Sequence, residues 1–187
     1  MSLESWESIL KDYEGTDELL EFYPDTEEGG FSVGAVRKLY EELDDDEEEI
    51  YEDASLIIAL VDPDGAQDGL IWFALGSLAK VCVGTQYMKT REALFAAEGL
   101  ADLPESGARG IDALLKLSMD EREILSLDTG DDLFIYGIVM AYSDTFVQLH
   151  CYTLNGADDG ICFIEKDRIE CCQYQGTDER AVQQLIR

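Results

Sequence analysis

One short turn occurs twice in this chain, and it constrains the fold more than any other feature. Asn155-Gly156-Ala157-Asp158-Asp159-Gly160 echoes Asp64-Gly65-Ala66-Gln67-Asp68-Gly69, each between two apolar runs. The offset is 91 residues, as between Gly69 and Gly160, and it holds without a gap from Tyr51/Tyr142 to Leu94/Leu185. Tyr51, Asp53, Gly65, Ala66, Asp68, Gly69 and Leu94 recur unchanged, and apolar residues recur as Leu56/Val147, Ile58/Leu149, Trp72/Phe163 and Phe73/Ile164. Self-similarity over this span is what two copies of one folding unit produce.

Upstream of Tyr51 the echo continues at a different offset. Phe31-Ser32-Val33-Gly34-Ala35-Val36 is matched by Phe134-Ile135-Tyr136-Gly137-Ile138-Val139, an F-x-x-G-x-V pattern 103 residues apart. The first copy therefore has 12 more residues between Val36 and Tyr51, including the acidic run within Glu41 to Glu49. An insertion that leaves the flanking strands in register belongs in a surface loop.

Within each copy the order of elements is legible. Trp6, Ile9, Leu10 and Tyr13 fall at helical spacing with Gly15 as a stop, and Ile111 to Leu117 reads as the equivalent helix. An F-x-x-G-x-V strand follows. Next come strands at Ala54 to Val61 and Thr145 to Leu154, then the Gly/Asp turn, in which glycine supplies positive φ and Asp or Asn satisfies local amides. Return strands at Leu70 to Leu75 and Ile161 to Glu165 lead through a one-turn break into Ala79 to Val83 and Ile169 to Tyr174. A closing helix is predicted at Arg91 to Phe95, and another at Asp178 to Leu185 with Thr177 as its cap.

Short strands between helices favour a small, strongly bent barrel over an open sheet. The expectation is an α+β, mainly β protein: a tandem duplication of a small bent antiparallel β-barrel, each flanked by short helices. The first repeat spans 1–98 with the acidic loop 41–49, the second spans 107–187, and Glu98 to Arg109 is the linker. An opening strand with a central glycine, an alternating second strand, a Gly/Asp hairpin and a short turn into Ile169 resemble the small Sm-like or PRC-type barrels. That resemblance implies either RNA binding or a role as a protein-binding or assembly module, and it does not choose between them.

Charge narrows the choice. With 42 Asp and Glu against 13 Lys and Arg, the formal net charge is −29. Such a surface repels nucleic acid and anionic membrane, and the one adjacent basic pair is Arg37-Lys38. A protein partner, with a basic one as the natural complement, fits better; a high-salt environment is the rival explanation. No apolar run reaches the roughly 18 residues of a membrane span. Met1 to Lys11 lacks the basic-then-apolar order of a signal peptide, so a cytoplasmic setting with reduced cysteines is expected.

Asp44, Asp45, Asp46, Glu47, Glu48 and Glu49 form the candidate partner-binding run: a solvated loop at minimum, and an electrostatic handle for a basic protein at most. Asp62 to Gly69 lacks the Gly and Glu positions of a calcium loop. Cys82, Cys151, Cys162, Cys171 and Cys172 contain no C-x-x-C pair, so the expectation is no metal and no cofactor. His150 is the sole histidine, and Cys151, its neighbour in a strand, must point to the opposite face. No catalytic motif occurs, and an enzyme using His150 or a cysteine is the alternative without positive support. Trp72/Phe163, Tyr51/Tyr142 and Phe31/Phe134 read as core positions. Among Tyr23, Tyr40, Tyr87, Tyr136, Tyr152 and Tyr174, some are available to rim a peptide groove. The residues leave the oligomeric state open.

Overall fold

A computed structural model describes residues 5–25, 30–45, 50–52, 54–89, 99–130 and 134–187. The chain is mainly β, with few short helices. It separates into two compact units, Met1–Asp68 with Phe73–Leu103, and Gly69–Trp72 with Pro104–Arg187.

The first unit opens with helix α1 (Trp6–Leu10), continued by a 3₁₀ turn (Lys11–Tyr13). Strands β1 (Leu20–Pro24) and β2 (Ser32–Tyr40) follow. Next come the short strands β3 (Leu43–Asp45) and β4 (Ile50–Glu52), then β5 (Ser55–Val61), β6 (Gln67–Ala74, of which Gly69–Trp72 groups with the second unit), a 3₁₀ turn (Leu75–Ser77) and β7 (Leu78–Val83). The sheet order is β6-β5-β2-β1-β7. All seven residues of β5 are buried, which explains why Leu56-Ile57-Ile58-Ala59-Leu60-Val61 is a continuous apolar run instead of an alternating one. Gly34 of β2 faces Leu60, and a Cβ there would collide with the Ala59 carbonyl, so the strand pair closes only over glycine.

The second unit has helix α2 (Gly110–Glu121), β8 (Leu125–Asp128), β9 (Ile135–Tyr142), β10 (Phe146–Tyr152) and β11 (Asp158–Glu165). A 3₁₀ turn (Lys166–Arg168), β12 (Cys171–Tyr174) and α3 (Thr177–Ile186) complete it. Its sheet order is β11-β10-β9-β8-β12, and Gly137 takes the place of Gly34: a Cβ there would stand 2.8 Å from the His150 carbonyl. The core comprises Leu114, Leu115 and Leu117 of α2 with Leu125, Leu127, Val139, Val147 and Leu149 of the sheet. Ser118, fully buried, donates to the Glu123 carbonyl at 2.7 Å and accepts the Val139 amide at 3.2 Å, joining the end of α2 to β9.

Several expectations change. In neither unit does the strand order close on itself, so the predicted barrel is replaced by an open sheet. The insertion predicted as a loop contains a ribbon: Leu43 pairs with Glu52, Asp44 with Tyr51 and Asp45 with Ile50. Thr177 is the first residue of α3 and Gly176 is its N-cap, without a side-chain cap hydrogen bond. The helix predicted at Arg91 to Phe95 lies outside the described residues. Part of the expected linker is anchored, since buried Ala101 accepts from Arg37 Nε at 2.8 Å.

The two Gly/Asp turns are hairpins with exchanged side-chain chemistry. In the first, Asp62 Oδ1 accepts the amides of Asp64 at 2.8 Å and Ala66 at 2.9 Å. In the second, Thr153 Oγ1 accepts the Ala157 amide at 3.1 Å. Asp62 thus spends a carboxylate oxygen on its own backbone, the local chemistry of an Asx turn.

Candidate functional site

The site is assembled from β9, β10 and β11 of the second unit. Paired residues in an antiparallel sheet share a face. His150 pairs with Ile161 on one side and Ile138 on the other, while Gln148 pairs with Phe163, and Phe146 with Glu165. Val147, Leu149 and Cys151, the alternate residues of β10, are buried. The opposite face is open. Met140, Phe146, Ile161 and Phe163 are 53%, 46%, 59% and 68% exposed.

This corrects one sequence expectation. Phe163, Phe31 and Phe134 were expected in cores, and all three are exposed. Phe163 lies on β11, whose neighbour among the described residues is β10 alone, so no further strand and no helix side chain covers its outer face. Tyr40, Tyr136 and Tyr174 are buried, whereas Tyr152 borders the open face.

Helix α3 shields one end of the face: Val182 packs with Ile124 and Tyr136, with Ile138, Tyr152 and Ile186 against them. Beyond that cover is a depression of about 340 Å³ lined by Met119, Arg122, Ile138, Met140, His150 and Tyr152. Arg122 is at the end of α2 with φ 57°, a left-handed conformation that terminates the helix.

Polar groups at the rim are ordered. The Gly160 amide donates to Asp158 Oδ1 at 2.9 Å, and His150 Nε2 lies 3.2 Å from Asp158 Oδ2. Those two contacts, the amide first, hold the Asp158 carboxyl below the ordinary carboxylate range. A carboxylate only accepts, so the imidazole proton sits on Nε2; in the neutral ring Nδ1 then accepts the Tyr152 hydroxyl at 3.3 Å. The His150 and Tyr152 rings also lie 4.7 Å apart. Both ring nitrogens of His150 thus lie within reach of a polar neighbour, Asp158 at 3.2 Å and Tyr152 at 3.3 Å. Cys151, on the buried face, is not its partner, as strand alternation requires.

Of the predicted partner-binding run, Asp44 and Asp45 lie in β3, while Asp46, Glu47, Glu48 and Glu49 lie outside the described residues. The adjacent basic pair is committed internally: Arg37, its side chain 9% exposed, bonds Asp17 at 3.0 Å, and Lys38 bonds Glu14 at 2.8 Å. The sequence signal for the open face was Ile161-Cys162-Phe163-Ile164. Consecutive residues in a strand point to opposite faces, so this run puts apolar side chains on both.

Among the described residues no helix is long and apolar enough to cross a membrane, and no three His, Cys, Asp or Glu side chains group as metal ligands do. Comparison with protein-family models, curated proteins and solved structures returns no match.

Proposed function

We propose that this chain is a non-enzymatic, acidic interaction protein that captures a basic protein segment in extended conformation along β11. The observation that carries this reading is the character of that strand. It is a sheet edge bearing exposed Ile161 and Phe163, with Asp158, Asp159 and Glu165 at its two ends and neither Lys nor Pro within it. Natural edges are usually blunted by such residues. Edge β7 of the first unit, for comparison, carries Lys80, whose ammonium stands 3.5 Å over the Tyr23 ring.

An added strand takes its affinity from main-chain hydrogen bonds and its specificity from pockets for alternate side chains. Phe163 and Ile161 with the adjoining depression offer those pockets. The flanking carboxylates and the net charge of −29 select lysine and arginine at the ends of the bound segment and raise its association rate. Asp44 to Glu49 act in the same sense as a long-range handle. An immunity- or antitoxin-like role, an acidic protein neutralising a basic effector, is one concrete form. We also read the two units as a tandem duplication of a small Sm-like barrel ancestor. Matching sheet orders and the constant offset of 91 through β5/β10, β6/β11 and the following 3₁₀ turns support that reading.

The test is isothermal titration with a synthetic peptide alternating Val and Lys, against wild type and an Ile161→Ser/Phe163→Ser variant. Binding to wild type that weakens with salt and is lost in the variant supports the proposal. Equal binding to both proteins, or tight salt-sensitive RNA binding in a gel shift, overturns it.

A further inference from the structure

The covered side of the same hairpin holds two sulfurs in near contact. Cys151 Sγ and Cys162 Sγ are 2.9 Å apart. In register they are diagonal neighbours, since Cys151 faces Gly160 and Cys162 faces Leu149. Gly160 explains how they meet: with no side chain opposite it, Cys151 leans across the hydrogen-bonded strand toward Cys162.

From this juxtaposition we propose that Cys151 and Cys162 form a redox-active dithiol, a modification site whose substrate is a low-molecular-weight disulfide of the glutathione class. A disulfide bond is about 2.05 Å long, so the sulfurs need to approach by about 0.9 Å.

The chemistry balances in two exchanges. Cys162 is half-buried on the edge strand, whereas Cys151 is buried, so the reagent meets Cys162 first. The Cys162 thiolate attacks one sulfur of the small disulfide, forming a mixed disulfide and expelling one small thiolate. The Cys151 thiolate then attacks Cys162 Sγ, forming the protein disulfide and expelling the second. The two protein thiols lose two electrons and two protons, and the small disulfide is reduced to two thiols. Burial raises the Cys151 thiol to about 12, so the second exchange accelerates as pH rises. The product ties β11 to β10 beneath the open face. This inference stands apart from the partner reading: the disulfide forms whether or not β11 binds a segment.

The experiment incubates the full chain with glutathione disulfide, alkylates the remaining thiols under denaturing conditions and maps the peptides by mass. The expected result is a Cys151–Cys162 linkage, with two of the five cysteines protected from alkylation and both recovered on reduction. Cys151→Ser is expected to stop at a stable glutathione adduct on Cys162, and Cys162→Ser to leave Cys151 free. A glutathione adduct that persists on wild-type Cys162, a linkage involving Cys171 or Cys172, or five unmodified thiols overturns the proposal.

Discussion

Phe163 stands directly across from Gln148 in the β10–β11 register, yet 68% of its surface is open. A phenyl ring in that position contributes little to the fold. Phe163→Ser is therefore expected to change unfolding free energy by no more than roughly 0.5 kcal/mol, the usual range for surface substitutions. Denaturant unfolding checks this. A loss of several kcal/mol would place Phe163 in a core and remove it from the proposed interface.

Glycines inside β2 and β9 are expected to be costly to replace. Gly34→Ala drives a methyl into the Ala59 carbonyl, and Gly137→Ala places one 2.8 Å from the His150 carbonyl. Each is expected to destabilise by about 1–3 kcal/mol, the usual range for overpacking, with Gly34 the worse. Urea midpoints of the two variants measure the ranking.

Ser118 is the polar joint between α2 and β9. Ser118→Ala leaves the buried Val139 amide without its acceptor, at a cost of about 1–3 kcal/mol. Ser118→Thr keeps the hydroxyl and separates the lost hydrogen bond from altered packing. Faster hydrogen exchange at Val139 in the alanine variant alone is the expected signature.

The acidic ribbon is a separate two-stranded sheet, β3 paired with β4. Removing residues 43–52 as a whole is expected to leave the melting temperature nearly unchanged, because neither strand belongs to the main sheet of the first unit. A fall of more than about 5 °C would correspond to roughly 1 kcal/mol of lost stability and make the ribbon structural. Neutralising Asp44 to Glu49 to the amides is expected to flatten the salt dependence of peptide association while leaving the complex intact.

Alkaline pH is expected to weaken the second unit. Burial raises the Cys171 thiol from 9.0 to about 12, pushes the fully buried Cys172 thiol well up, and lifts the Tyr136 hydroxyl to about 12. Groups raised in the folded state contribute stability that is complete below their unfolded values and is lost as pH climbs through the folded ones. Under reducing conditions, melting temperature should therefore fall steadily from about pH 9 toward pH 12 and recover on return to neutrality. A flat profile would mean these groups ionise freely in the native state.

Local chemistry is readable along a chain. The F-x-x-G-x-V runs announced β2 and β9, the Gly/Asp turns announced hairpins, and period two put His150 and Cys151 on opposite faces. Those features depend on residues close in sequence. Whether the sheet closes, that Phe163 rather than Leu149 faces outward, that Asp158 reaches His150, and that Cys151 meets Cys162 over Gly160 depend on strand order and register. Strand order is settled by packing between segments distant along the chain, and register within the β10–β11 hairpin by the pairing of its two strands. An apolar residue announces that it prefers burial, but only the completed sheet determines which side of it is left uncovered.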